Sequence, residues 1–171
     1  MVSAFSYQST ACLKQLANYT TQDLLEGLQV AADSITIHYD VPNDDFTRAG
    51  EASSDLKSKL KQMGVSPDVI RKVAIALYEA EINMIIHANG GYIDVEINNE
   101  GIIIDLYDVG PGIKDIHQAL QAGWSTALEE IRGLGFGAGM GLPNMKKNTD
   151  DMIIDSIVGK GTHITLVINY I

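Results

Sequence analysis

The 171-residue chain carries 12 Lys plus Arg against 22 Asp plus Glu, a net charge of −10. Such acidity argues against nucleic acid as a partner, because that affinity comes mainly from basic side chains and the doublet Lys146-Lys147 is too small to reverse it. With 46% apolar and 20% charged residues, one lone cysteine (Cys12), no leader pattern and no run near about 18 apolar residues, the chain reads as globular, free of disulfides, off the membrane and cytoplasmic.

Residues 1–34 read as an N-terminal helical extension. There Leu13, Leu16, Ala17, Leu24, Leu25, Leu28 and Ala31 recur at roughly helical spacing, with Thr21 as an N-cap that would split the helix. The remaining residues, 35–171, read as the domain proper. Residues 35–41 alternate apolar and polar and predict a strand. A helix over 45–63 ends at Gly64. A second starts at Ser66-Pro67, with Pro67 at its first position, and runs to about Ala88. Strands over 92–98 and 102–107 flank the turn Asn98-Asn99-Glu100-Gly101. After a glycine-rich stretch come a short helix over 142–148, a strand over 152–158, the turn Gly159-Lys160-Gly161 and a strand over 162–168. Strands joined mostly by hairpins predict an α+β fold with one largely antiparallel sheet and helices on one face.

The second helix is apolar nearly all round, so its polar residues call for a reason. With Arg71 at 0°, Glu79 falls at about 80°, Asn83 at about 120°, His87 at about 160° and Glu81 at about 280°. Glu79, Asn83 and His87 therefore form one stripe, and Glu81 faces nearly the opposite way. If one carboxylate works with Asn83, it is Glu79. A carboxylate and an amide on adjacent turns suit metal-assisted phosphoryl transfer: the amide oxygen is a neutral hard ligand for Mg²⁺, and the carboxylate can accept a proton. The same stripe also reads as a solvated helix edge, and His87 as an ordinary helix-end histidine.

Residues 102–107 form a nearly continuous apolar strand, the mark of a central one, and deliver Asp108 into Val109-Gly110-Pro111-Gly112. A strand-end carboxylate beside glycines can accept from an exocyclic amine such as adenine's, or simply open a turn. Further on, Gly133, Gly135, Gly137, Gly139 and Gly141 alternate just before a helix, an arrangement that presents backbone N–H groups to an anion. Neither the G-x-G-x-x-G nor the G-x-x-x-x-G-K-[ST] spacing occurs, so dinucleotide and Walker-type sites are excluded. The mixed-charge stretch between the two glycine segments reads as a lid.

Four elements thus stand in one order. They are Glu79 and Asn83 with His87; Asp108, Gly110 and Gly112; the glycine run over 135–141; and Gly159-Lys160-Gly161-Thr162. Over residues 35–171 this set resembles the GHKL (Bergerat-fold) ATP-binding domain of gyrase and histidine kinases. Within it the chain is most similar to the anti-sigma-factor serine kinases, whose helix reads E-x-x-x-N. The resemblance implies a two-layer α/β sandwich with a mostly antiparallel, mixed sheet. It implies ATP and Mg²⁺, with Asn83 holding the metal and Glu79 as general base. Asp108 would take the adenine amine with Thr162 assisting, Gly110 and Gly112 would shape the adenine pocket, and Gly135, Gly137, Gly139 and Gly141 would wrap the triphosphate. Ile113, Met140, Leu142 and His87 would complete the nucleotide contacts, and residues 114–134 would be the ATP lid.

By the same resemblance the chain would phosphorylate a serine on an anti-anti-sigma-like partner and hold a sigma factor in another state, often as a homodimer. Two other readings stay open: a nucleotide-gated binding module, and a stand-alone ATPase in which Glu79 activates water. The extension over 1–34 departs from the compact kinase pattern. No histidine stands in a dimerisation-helix context, and His38 falls on a strand, so a self-contained histidine kinase is not expected.

Overall fold

The computed structural model describes residues 34–43, 46–127, 129 and 136–170. All but Ser34 of the helical extension expected over 1–34, together with Gly135 and much of the second half of the lid, lies outside the described residues.

Period-2 alternation decides the layering. In β2 (Gly91–Ile97), Ile93, Val95 and Ile97 are buried while Tyr92, Asp94 and Glu96 alternate with them. Ile102, Ile104 and Leu106 do the same in β3 (Gly101–Asp108), and Ile164, Leu166 and Ile168 in β5 (Gly161–Asn169). With β1 (Ile35–Val41) and β4 (Asp151–Ile157) these strands form a five-stranded sheet in the order β1-β2-β3-β5-β4. All four pairings are antiparallel, so the sheet is antiparallel throughout rather than mixed. The apolar run in β3 takes the central position, as its composition predicts. Asn98 makes the β2–β3 turn: its Oδ1 accepts from Glu100 N at 2.9 Å and Gly101 N at 3.0 Å.

Four α-helices are described: α1 (Glu51–Gln62), α2 (Pro67–His87), the single turn α3 (Ile116–Ala119) and α4 (Gly141–Lys147). Leu56 and Leu60 of α1, Val73, Leu77 and Ile85 of α2, and Met145 of α4 pack with the inward side chains of the sheet in one core. Burying each such side chain contributes about 1.5–3 kcal/mol, which holds the helices on that one face. Pro67 stands at the start of α2 behind Ser66, whose Oγ lies 3.5 Å from Val69 N.

The first helix starts later than its periodicity predicts. Residues 46–48 form a 3₁₀ turn and Gly50 breaks the chain with φ +88°, a left-handed conformation that glycine adopts freely. Gly50 lies under the Tyr78 ring, where a Cβ would come within 3.2 Å. That contact with a residue on another helix is invisible to local pattern. Helix α3 was also not expected, since four residues are too few to show a period.

Candidate active site

A cavity of about 900 Å³ opens between the helix layer and the sheet. Helix α2 supplies Glu79, Asn83 and His87 to its wall, the end of β3 supplies Asp108, and β5 supplies Thr162. Gly112, Ile113, Gly137, Gly139, Met140, Gly141 and Leu142 line it too. The structure therefore brings together all the described candidate residues except Gly110, which sits behind Asp108.

At one end, Asp108 Oδ1 accepts from Gly110 N at 2.8 Å and from Thr162 N at 3.1 Å. Both bonds fall on the same oxygen, which leaves Oδ2 as an acceptor. Gly110 is required for this approach, because a Cβ there would lie 2.7 Å from Ala88 Cα. Thr162, buried, shares a 2.9 Å hydroxyl contact with Ser156, and Ser156 Oγ also accepts from Ile113 N at 2.7 Å. Ser156 thus ties β4, β5 and the segment after Asp108 together. It escaped the sequence reading, although the β4–β5 register that sets it opposite Thr162 follows from the turn at 159–161.

At the other end, Glu79 and Asn83 face the first turn of α4. Asn144 Nδ2 donates to Glu79 Oε1 at 2.6 Å. Asn83 Nδ2 faces Met145 Sδ at 3.7 Å, which leaves its Oδ1 as the atom for a cation. Gly141 packs on the Asn83 amide so closely that a Cβ would come within 2.7 Å of Nδ2. Gly139, with φ +73°, passes the backbone of Gly123 and Trp124, and its carbonyl accepts from Gly123 N at 2.9 Å. His87 Nδ1 meets Thr126 Oγ1 at 3.3 Å, and burial holds its imidazole below the ordinary 6.5. Lys114 is the one Lys or Arg among the described residues lining the cavity.

These residues fit a nucleotide with its metal. Asp108 Oδ2 is an acceptor of the kind a base amine needs, and glycine backbone lines another stretch of the same cavity. Among the described residues there is no group of three or more His, Cys, Asp or Glu that could hold a metal. An ion beside Asn83 would take most of its ligands from phosphate and water, which is the habit of Mg²⁺.

A two-layer α+β domain with a glycine-lined cavity between its helices and an antiparallel sheet defines an ATP-binding domain of the GHKL class. The family model of the histidine kinase-like ATPase domain matches residues 43–168. The chain belongs to that family. It is 30% identical to the serine/threonine-protein kinase RsbT of Bacillus subtilis over 111 residues, covering 63% of this chain and 77% of that protein. It is 34% identical to the anti-sigma F factor of a Thermoanaerobacter species over 110 residues, covering 61% and 73%. Among solved structures it resembles the RsbU and RsbW domains of a Mycobacterium tuberculosis protein, with a TM-score of 0.54 and 15% identity over 78% of this chain and 32% of that one. It also resembles the SiaB–SiaC complex of Pseudomonas aeruginosa, with a TM-score of 0.54 and 13% identity over 86% and 98%. At these identities the two structures speak for the fold alone.

Proposed function

We propose that this chain is a Mg-ATP-dependent protein serine kinase of the anti-sigma-factor type, acting in the cytoplasm as a partner switch. The observation that carries this reading is the pairing of Glu79 and Asn83, one turn apart on α2, in a cavity that also holds the glycine run and Asp108. The names of its relatives support it: RsbT is a serine/threonine-protein kinase, and others are anti-sigma F factors. No helix among the described residues is long and apolar enough to cross a membrane.

In this reading Asp108 Oδ2 accepts from the adenine amine, and Thr162 and Ile113 frame the base. The glycine segment over 137–141 offers its backbone to the phosphates, and Asn83 Oδ1 holds Mg²⁺. When bound, the metal neutralises charge on the phosphates. Glu79 accepts the proton of a partner's seryl hydroxyl as that oxygen bonds to the γ-phosphorus. The bond to the bridging oxygen breaks, and its electron pair leaves on ADP. Positioning and charge neutralisation carry most of such catalysis, which suits a site with few reactive groups.

The test is capture of a partner from a bacterial lysate on the full chain, with and without Mg-ATP, followed by phosphoserine mapping in the captured protein. New phosphoserine with the wild type, lost in Glu79→Ala while ATP still binds, supports the kinase. ATP binding and ATP-dependent capture without phosphoserine would replace it with a nucleotide-gated binding module. Phosphate release to water as fast without a partner as with one, and no phosphoserine, would point to a stand-alone ATPase.

A further inference from the structure

We infer that Asn144 is a positioning residue: it fixes the carboxylate of Glu79 and joins it to the helix that follows the glycine run. This rests on the reading of Glu79 as the proton acceptor. Asn144 is not among the residues lining the cavity and reaches the site only through Glu79. Its Nδ2 donates to Glu79 Oε1 at 2.6 Å. An ionised carboxylate can only accept, so the nitrogen of the amide must face it. The bond occupies one oxygen of Glu79 and leaves Oε2 for the seryl proton. A free glutamate side chain samples many rotamers, whereas a base oriented by a third group keeps its geometry through the reaction.

Asn144 is itself held. Its backbone N donates to Met140 O at 2.8 Å, and its carbonyl accepts from Asn148 N at 3.1 Å and Asn148 Nδ2 at 2.8 Å. The next residue, Met145, is fully buried and faces Asn83. Two successive residues of α4 therefore touch the two polar residues of α2 on which phosphotransfer would depend. Helix α4 begins at Gly141, where the glycine run ends.

The experiment uses the full chain with Mg-ATP and water as the acceptor, following release of inorganic phosphate. ATP affinity and the side-chain amide signals in ¹⁵N NMR are measured alongside. Wild type is compared with Asn144→Ala, Glu79→Ala, Glu79→Gln and the double variant Asn144→Ala/Glu79→Ala. Asn144→Ala should lower kcat by about 10- to 100-fold with KM for ATP unchanged. It should cost nothing further in the Glu79→Ala background. The Asn144 side-chain NH₂ signals should move on Glu79→Gln. An unchanged kcat in Asn144→Ala, an equal loss in both backgrounds, or NH₂ signals indifferent to Glu79→Gln overturns the inference. If the wild type releases no measurable phosphate, the NMR comparison decides alone. A rate that survives Glu79→Ala overturns the base reading first, and the NMR then shows whether the contact itself exists.

Discussion

Glu79 and Glu81 stand on the same helix and answer to opposite neighbours. Asn144 of α4 donates to Glu79 at 2.6 Å, while Ala52 N and Ser53 N at the start of α1 donate to Glu81 at 3.0 and 2.9 Å. Two helical residues turn the direction by about 200°, which sends one carboxylate to the cavity and the other into the packing between α1 and α2. Helix α1 follows a glycine that offers no side-chain cap, so Glu81 satisfies its first N–H groups from a distance. One acid lines the cavity and the other closes a helix end.

Glu81→Ala should therefore destabilise the fold by about 2–4 kcal/mol, because it strands two backbone donors of α1 and removes packed atoms. ATP affinity of the folded fraction should not change. Burial pushes the Glu81 carboxyl above its ordinary 4.5, and the N–H groups of Ser53, Ala52 and Gly50 pull the other way. With the net shift upward, the folded state holds this proton to higher pH than the unfolded chain does. Stability from this group is thus fullest below 4.5 and declines as pH rises through the raised folded value. Urea unfolding across that window should show this decline in the wild type and lack it in the variant.

Gly141→Ala separates binding from folding. Gly141 opens α4 without a left-handed φ, so alanine there carries no backbone strain and narrows the unfolded chain's freedom. Here the new methyl group would meet the Asn83 amide at 2.7 Å and push it out of place. The melting temperature should hold or rise while affinity for ATP with Mg²⁺ falls about 10- to 100-fold. Calorimetric titration with and without Mg²⁺ checks this, and a loss confined to the Mg²⁺ arm identifies Asn83 as the affected group.

Much of this site was legible because the relevant periods are short. Angular spacing on α2 separates Glu79 from Glu81, and the nearly continuous apolar run of β3 places Asp108 at the end of a central strand. The glycines announce close backbone approach, though not its object. Gly110 guards the space beside Ala88, and Gly141 the space beside Asn83. What stayed hidden depends on partners far away in the chain. Asn144 gains its contact with Glu79 only when α4 packs on α2. The contact of Gly50 with Tyr78 and the cap of α1 by Glu81 are long-range in the same way.

His87 should give the domain an opposite pH response. Burial keeps its imidazole below the ordinary 6.5, so the folded state binds this proton less readily than the unfolded chain. Stability from this group is complete above 6.5 and is lost as pH falls through the lowered folded value. His87→Gln keeps a polar atom near Thr126 Oγ1 and removes the titration. The drop in urea midpoint between about pH 8 and about pH 5.5 should be smaller in the variant than in the wild type.

Asp108→Asn tests the base-recognising end by reversing one hydrogen-bond direction. Gly110 N and Thr162 N both donate to Asp108 Oδ1, at 2.8 and 3.1 Å, so that position must remain an acceptor. In the variant the amide oxygen takes it, and the NH₂ group replaces Oδ2. A donor then faces the exocyclic amine of adenine, and affinity for ATP should fall about 10- to 100-fold with the fold intact. Inosine triphosphate carries a carbonyl oxygen where adenine has the amine, so it should bind the variant better than ATP does, reversing the wild-type order. Parallel titrations with both nucleotides read this directly. Equal losses for the two would mean that Asp108 shapes the turn after β3 without touching the base.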